Sequence, residues 1–494
     1  MDSFNWKVLT LLTGKEIFTL VSLTVDNITI ENIKGIITFP ENNEGPFRIE
    51  LNLIPEQKKL FSDAYETSES YSLVRIEAFG SNEKYISDKL FIKKYDIVPS
   101  IHEEYRVVIF AYEVKRIITF PSTESNHCNI TFWLNDNAYI PENSWLEKHY
   151  DGNVIVKAAP EEYTTLKVSD ELTFKFKRSY VYQNNENGYS ARRYKVCEVI
   201  TKNVITNQEI VDDIIGKLDN FLLLVSFGYG NRVTWIGYEY SDSYNYYEFY
   251  RETIKRTHKS NRNDWIDKNG YVVNDFIIQS FNKFNENNNY YIAIKNAIYA
   301  LCNDNDNGII DAKYLELFSA FESILLAYNK KTDSEKLLTN RKFDKLRTEM
   351  EVGLKDYFVR NKLDDNIKTK MIEKISELNR PSLRNTLERF QEAFGLHLDN
   401  LWPIFAEGVN KPGLADIRNK LIHGDYLYRK YDYLDFAKHQ LRLILTITII
   451  KVLGWPIEKT QYTNDHIKRL CYYFPEKLEA ARDNWKLNSK KQKK

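Results

Sequence analysis

Cysteine is scarce. Four occur in 494 residues, at positions 128, 197, 302 and 471, and none forms a C-x-x-C pair. That excludes a disulfide framework and argues against a zinc ribbon or thioredoxin-like site. The adjacent His127 and Cys128 have no second ligand pair nearby and read as chance. Proline (12) and glycine (18) are also few, while 43% of residues are hydrophobic. A collagen-like, low-complexity or mostly disordered chain is therefore excluded. Neither charge sign is in excess, with 69 Lys+Arg against 69 Asp+Glu. A globally basic nucleic-acid coat is ruled out, but a local basic site is not. No long apolar run occurs. The richest, Leu441 to Leu453, contains Arg442 and Lys451 and is too short to span a bilayer. The N-terminal apolar run is too short for a signal peptide. The expectation is a soluble protein of a reducing cytoplasm.

Nucleotide and metal motifs are missing too. There is no Walker A sequence, no G-x-G-x-x-G, no H-E-x-x-H and no G-x-S-x-G elbow. Asp304–Gly308 looks like an EF-hand fragment. With Gly308 at the sixth loop position, the twelfth is Tyr314, so the bidentate carboxylate is absent and calcium is not expected.

What is present is aromatic: 14% of residues, with 34 Tyr, ample for sizeable cores. The first half reads as strands. Phe47, Ile49, Leu51 and Leu53 alternate with polar residues, as do Val74, Ile76 and Ala78, and Leu172, Phe174 and Phe176. Period-two alternation puts one side-chain set on a core and the other in water. Further strands are expected at 107–120, 130–134, 194–201 and 232–240, with one helix near 209–227. Tyr244–Tyr250 is expected to pack on a sheet face rather than to stack nucleobases.

From about residue 271 the period becomes 3.6. Asp311 is the expected N-cap of a helix burying Tyr314, Leu317, Phe318, Phe321, Ile324, Leu325 and Tyr328. A charge-dense helical region follows over 334–378, then a helix opened by Pro381-Ser382, a short helix ending near His423-Gly424, and a long one over 431–453. The fold class expected is α+β in two domains. Residues 1–270 form an antiparallel β-rich sandwich or barrel-like domain. Residues 271–480 form an all-α bundle, and 481–494 a basic tail.

The segment with chemistry is Leu414-Ala-Asp-Ile-Arg418-Asn419-Lys420-Leu421-Ile422-His423-Gly424-Asp425. On a helical wheel Leu414, Ile417 and Leu421 share the core stripe, while Asn419 and His423 lie four apart on the other side. Gly424 suits the left-handed residue after a helix, which puts His423 at its end. The negative end of the helix dipole there favours an imidazolium. Such a set suits RNA cleavage by its own 2′-hydroxyl. The hydroxyl must lose a proton and the 5′-oxygen must gain one, and a His can serve either step. A guanidinium fork can bind the phosphate as it gains charge. No metal is needed. One copy supplies one His, and a second across a two-fold axis would supply the complementary acid or base.

Arg418-Asn419 followed by His423 resembles the R-x(4–6)-H motif of HEPN-domain ribonucleases. The LELFSAFESILLAY helix upstream, the NRPSLRNTLERF helix between, and the long apolar helix after RNKLIHGDY are similar to the ApeA-like group of anti-phage HEPN proteins. The strand-rich half is similar in size and placement to their N-terminal domain. The resemblance implies a metal-independent endoribonuclease without cofactor, paired as a homodimer through its helical domain. It also implies a phage-derived trigger for the N-terminal domain, growth arrest on infection, and RNA, transfer RNA by family analogy, as substrate. Arg418 and His423 would be catalytic, Asn419 a polar helper, and Glu322, Lys420 and Asp425 supporting. A second spacing match, Arg251 to His258, lies in an extended Tyr-rich segment with no helix end to present it, and is rejected. The competing expectation is a catalytically silent HEPN module that binds RNA or protein. In that case His423 only neutralises the helix end and Arg418 bridges to Asp416 or Asp425.

Overall fold

Alternating burial runs the length of the strand Phe47–Leu53, with Phe47, Ile49, Leu51 and Leu53 all inside. The same pattern recurs in strand after strand, so each has one face to cover. The computed structural model describes residues 14–25, 28–39, 45–67, 74–80, 82–88, 90–95, 105–119, 130–134, 147–148, 154–155, 164–185, 188–201, 208–230, 232–241, 245–252, 265–266, 270–286, 288–302, 309–362, 364–398, 401–406, 412–424 and 431–461. The strands are β1 (Gly14–Val25), β2 (Ile28–Phe39), β3 (Phe47–Leu53), β4 (Val74–Phe79), β5 (Glu83–Ser87), β6 (Leu90–Tyr95), β7 (Tyr105–Ala111) and β8 (Glu113–Thr119). They continue with β9 (Ile130–Leu134), β10 (Glu147–Lys148), β11 (Val154–Ile155), β12 (Thr164–Lys167), β13 (Leu172–Asn185), β14 (Gly188–Thr201), β15 (Trp235–Ser241) and β16 (Asn245–Arg251).

Fourteen of them make one antiparallel sheet, ordered β12-β13-β14-β9-β15-β16-β8-β5-β4-β1-β2-β3-β7-β6, and β10 pairs with β11 alone. The sheet is curled. In a flat sheet β4 and β6, five places apart, would stand roughly 24 Å from each other. Their Cα atoms instead approach within 8 Å. The curl encloses a core in which Phe18, Phe39, Phe47, Tyr85 and Tyr250 meet, with Phe39 6.4 Å from Tyr250 between ring centroids. The barrel-like expectation thus takes the form of a single coiled sheet, not two stacked ones. The strand expected over 107–120 is broken at Tyr112, because β7 pairs with β3 and β6 whereas β8 pairs with β5 and β16.

Helix α1 (Pro55–Thr67) was not expected. Pro55 occupies its first turn, and Phe61 and Ala64 pack on β1–β3. Helix α2 (Gln208–Tyr229) lays its first turns on the sheet. Trp235 Nε1 donates to Asp219 Oδ1 at 2.9 Å, and Phe221 stacks on Phe176 at 5.0 Å.

The chain divides into a sheet unit, residues 1–222 and 233–259, and a helical unit, residues 223–232 and 260–494. This differs from a single boundary after residue 270. The end of α2 belongs to the helical unit, because Phe227 packs on Trp265 (4.7 Å) and Phe276 (6.0 Å), and Trp265 Nε1 donates to Phe227 O.

The helical unit contains α3 (Gly270–Glu286), α4 (Asn288–Cys302), α5 (Ile310–Lys331), α6 (Asn340–Arg360), α7 (Asp365–Ile375), α8 (Leu383–Phe394), α9 (Leu414–Ile422) and α10 (Tyr431–Leu453). Helix α5 is the hub, packed by α4, α8, α9 and α10. It starts one residue before Asp311, with Ile309 as N-cap, so Asp311 lies inside the first turn and complements the dipole instead of capping. Ser382 caps α8 as expected, its hydroxyl accepting from Asn385 N. The EF-hand-like residues 304–308, His258 and the basic tail lie outside the described residues.

Candidate active site at the end of helix α9

Helix α9 is short and is anchored mainly at its start. Gly413 precedes it, and its N–H donates to Asp416 Oδ2 at 2.7 Å. Leu414 N and Ala415 N donate to Pro403 O and Ile404 O, so the free N–H groups of the first turn are satisfied by the incoming chain. Only glycine fits at 413, since a Cβ there would stand 2.4 Å from the Phe405 carbonyl carbon. From α5, the buried Tyr314 hydroxyl donates to Leu414 O at 2.8 Å. Trp402, fully buried, donates through its indole to Pro412 O. Leu414 and Ile417 are buried against α5, and Leu421 is half-buried. The far end of α9 is thereby held out from the bundle.

That end carries the motif. Arg418 Nη2 donates to Glu322 Oε2 on α5 at 3.1 Å, and its Nη1 donates to Asn419 Oδ1 at 3.1 Å. The guanidinium lies 6.0 Å from the Phe318 ring centroid, and the pair is partly exposed, 32% for Arg418 and 21% for Glu322. The remaining guanidinium N–H groups, the buried Nε among them, have no partner among the described residues. Burial raises the Glu322 carboxyl above its ordinary range, and the guanidinium opposes that shift.

His423 is the C-cap residue. Its backbone N–H donates to Asn419 O at 3.1 Å, its ring is exposed, and Gly424 follows at φ +77°. The ring takes no hydrogen bond among the described residues. Lys420 is half-buried on the same last turn. The structure therefore brings Arg418, Asn419 and Glu322 into direct contact and sets His423 one turn beyond Asn419. Asp425 lies outside the described residues.

Of the two acids expected to bind Arg418 in the silent alternative, Asp425 lies outside the described residues. Asp416 is turned to the helix start, and Glu322 takes the guanidinium instead. Arg251, from the rejected match, lies over the Trp235 ring at 3.3 Å and donates to Trp235 O. The roles of Tyr314, Gly413 and Trp402 in fixing α9 were missed. Their long-range partners leave no periodic trace in the sequence. Among the described residues, no three His, Cys, Asp or Glu side chains gather as a metal-ligand set.

No protein-family model, curated protein or solved structure matches the chain significantly.

Proposed function

We propose that the helical unit is a HEPN-type endoribonuclease that cuts RNA through its own 2′-hydroxyl. The supporting observation is a half-exposed guanidinium with unused N–H donors, held on one side by Glu322 and followed five residues later by an exposed imidazole at a helix end. In this reading the 2′-oxygen attacks the adjacent phosphorus, and the bond from phosphorus to the 5′-oxygen breaks. A 2′,3′-cyclic phosphate and a 5′-hydroxyl result. His423 accepts or supplies the proton. Arg418 binds the charge that develops on the non-bridging oxygens. Glu322 and Asn419 fix the guanidinium plane, and Lys420 adds positive charge.

One imidazole cannot be acid and base in the same step, so a second copy of the chain completes the site. Leu326 (61% exposed) and Ile422 (53% exposed), one turn from Glu322 and next to His423, are apolar groups that such a copy could cover. The sheet unit, which carries none of the motif residues, is read as the control element of an anti-phage effector. Transfer RNA, with exposed single-stranded loops, is the substrate favoured by the family resemblance.

The test is expression in bacteria with total RNA resolved on a gel, in parallel with His423→Ala. Discrete fragments from the wild type alone support the reading, and sequencing their 5′ ends names the RNA. Toxicity unchanged in His423→Ala removes the motif from the mechanism. The Arg418–Glu322 ion pair favours a second reading, a silent RNA- or protein-binding module in which the arginine is structural. Purified protein that binds RNA without cutting it would select that reading.

A further inference from the structure

The interior of the coiled sheet holds a charge cluster. Glu239 of β15 and Glu248 of β16 are direct cross-strand partners, so both side chains lie on one face with Cβ atoms about 5 Å apart. That face is the apolar one. Glu248 is 1% exposed, and its strand neighbours Tyr246 and Tyr250 are buried beside it. One guanidinium serves Glu248 and its neighbour Glu83. Arg116 of β8 donates to Glu248 Oε2 at 3.1 Å and, through Nε, to Glu83 Oε2 of β5 at 2.8 Å. Two carboxylates, Glu83 and Glu248, thus share one guanidinium.

Glu239 receives no ion pair of its own among the described residues. It accepts a 2.6 Å hydrogen bond from the Tyr246 hydroxyl, and the Trp133 indole of β9 lies on the same side. Lys177 of β13, the cation that acts on Glu239 electrostatically, is paired with Glu198 of β14. Glu248 Oε1 and the Tyr250 hydroxyl have no hydrogen-bond partner in good geometry among the described residues, and the Tyr85 ring of β5 completes the wall.

Two cross-strand carboxylates, Glu248 sealed and Glu239 half-buried, with a guanidinium on Glu248 alone, cannot both be charged cheaply. We propose that the Glu239/Glu248 pair is a proton-binding site and that the β15–β16 hairpin tightens as its surroundings acidify. Burial first, then the neighbouring Glu248, pushes the Glu239 carboxyl up to about 7, against the hydrogen bond from Tyr246. Burial raises Glu248 as well, opposed by Arg116.

The sign follows. A carboxyl raised in the folded state contributes stability that is full below its ordinary range and is lost as pH climbs through about 7. The hairpin is also the part of the sheet unit closest in sequence to both chain crossings, since residues 233–259 lie between 223–232 and 260–494 of the helical unit.

The test uses the full chain and is independent of any nuclease activity. Wild-type melting should fall by about 3–5 °C between about pH 6 and pH 8 in the transition that unfolds the sheet unit. Glu239→Gln should flatten that dependence and melt higher than wild type at the alkaline end. An infrared difference spectrum supplies a readout that needs no variant stability. The C=O stretch of a neutral carboxylic acid should be present at about pH 6, vanish by about pH 9, and be missing in Glu239→Gln. Glu248→Gln should move the midpoint of that band to lower pH by removing the neighbouring charge. A band absent from the wild type, or a melting slope identical in Glu239→Gln, overturns the proposal.

Discussion

The molecule holds two arginine–carboxylate clusters, and they are opposites. In the sheet unit, Arg116 lies between Glu83 and Glu248, and Glu248, whose cross-strand partner is Glu239, is almost sealed. In the helical unit, Arg418 and Glu322 meet at a helix end with about a third and a fifth of their side chains in solvent. An enclosed charge can act only on the fold that surrounds it. Its removal leaves uncompensated partners, so its weight falls on stability. A charge at a rim contributes little to stability, but its unused donors can reach a phosphate. Residue types alone would rank the two clusters equally, and their surroundings assign them different work.

The sharpest way to break this contrast is His423→Ala. It should lower RNA cleavage by about 10²–10⁴-fold while leaving the melting temperature unchanged, because the ring is exposed. Cleavage at the wild-type rate by purified protein would end the assignment. Arg116→Ala should do the reverse. It strands buried carboxylates and should cost about 3–5 kcal/mol in chemical denaturation, with the cleavage rate per folded molecule retained. Arg418→Lys keeps the charge but loses the planar fork. About a 10²-fold fall in cleavage is expected, with stability within about 1 kcal/mol of wild type. Glu322→Gln should shift stability by less than about 1 kcal/mol. It should lower cleavage moderately, since the guanidinium loses its orienting partner but not its charge. The smallest expected effect is that of EDTA: cleavage should persist in its presence, and loss would point to metal-assisted chemistry.

Much of the fold was legible because burial imposes a period. Leu434, Leu441, Leu445, Ile449 and Val452 are all buried in α10, and Tyr314 to Leu325 in α5, as their spacing predicts. Helix α1 was not, since its apolar stripe is only Phe61 and Ala64 over 13 residues, too little for a periodic signal. The site was half legible. Local sequence placed His423 at the helix end and Asn419 beside Arg418. Glu322 entered only through resemblance, because a partner 96 residues away leaves no spacing to read. The interior cluster did leave a trace, in that Glu248 shares the buried parity of Tyr246 and Tyr250. A charged residue on the apolar phase of a strand is the signal that could have found it.

The helical unit also borrows a piece of chain that precedes the last two strands of the sheet. Phe227 is sequestered with Trp265 and Phe276, and Trp455 from beyond α10 closes on Phe276 at 5.5 Å. Gene fusion or recombination at the apparent seam near residue 270 would therefore transplant a helical unit with an open wound in its aromatic heart. A graft that inherits working helices must bring the end of α2, and with it the hairpin. The two units are interleaved along the chain, so neither can be exchanged by a single cut.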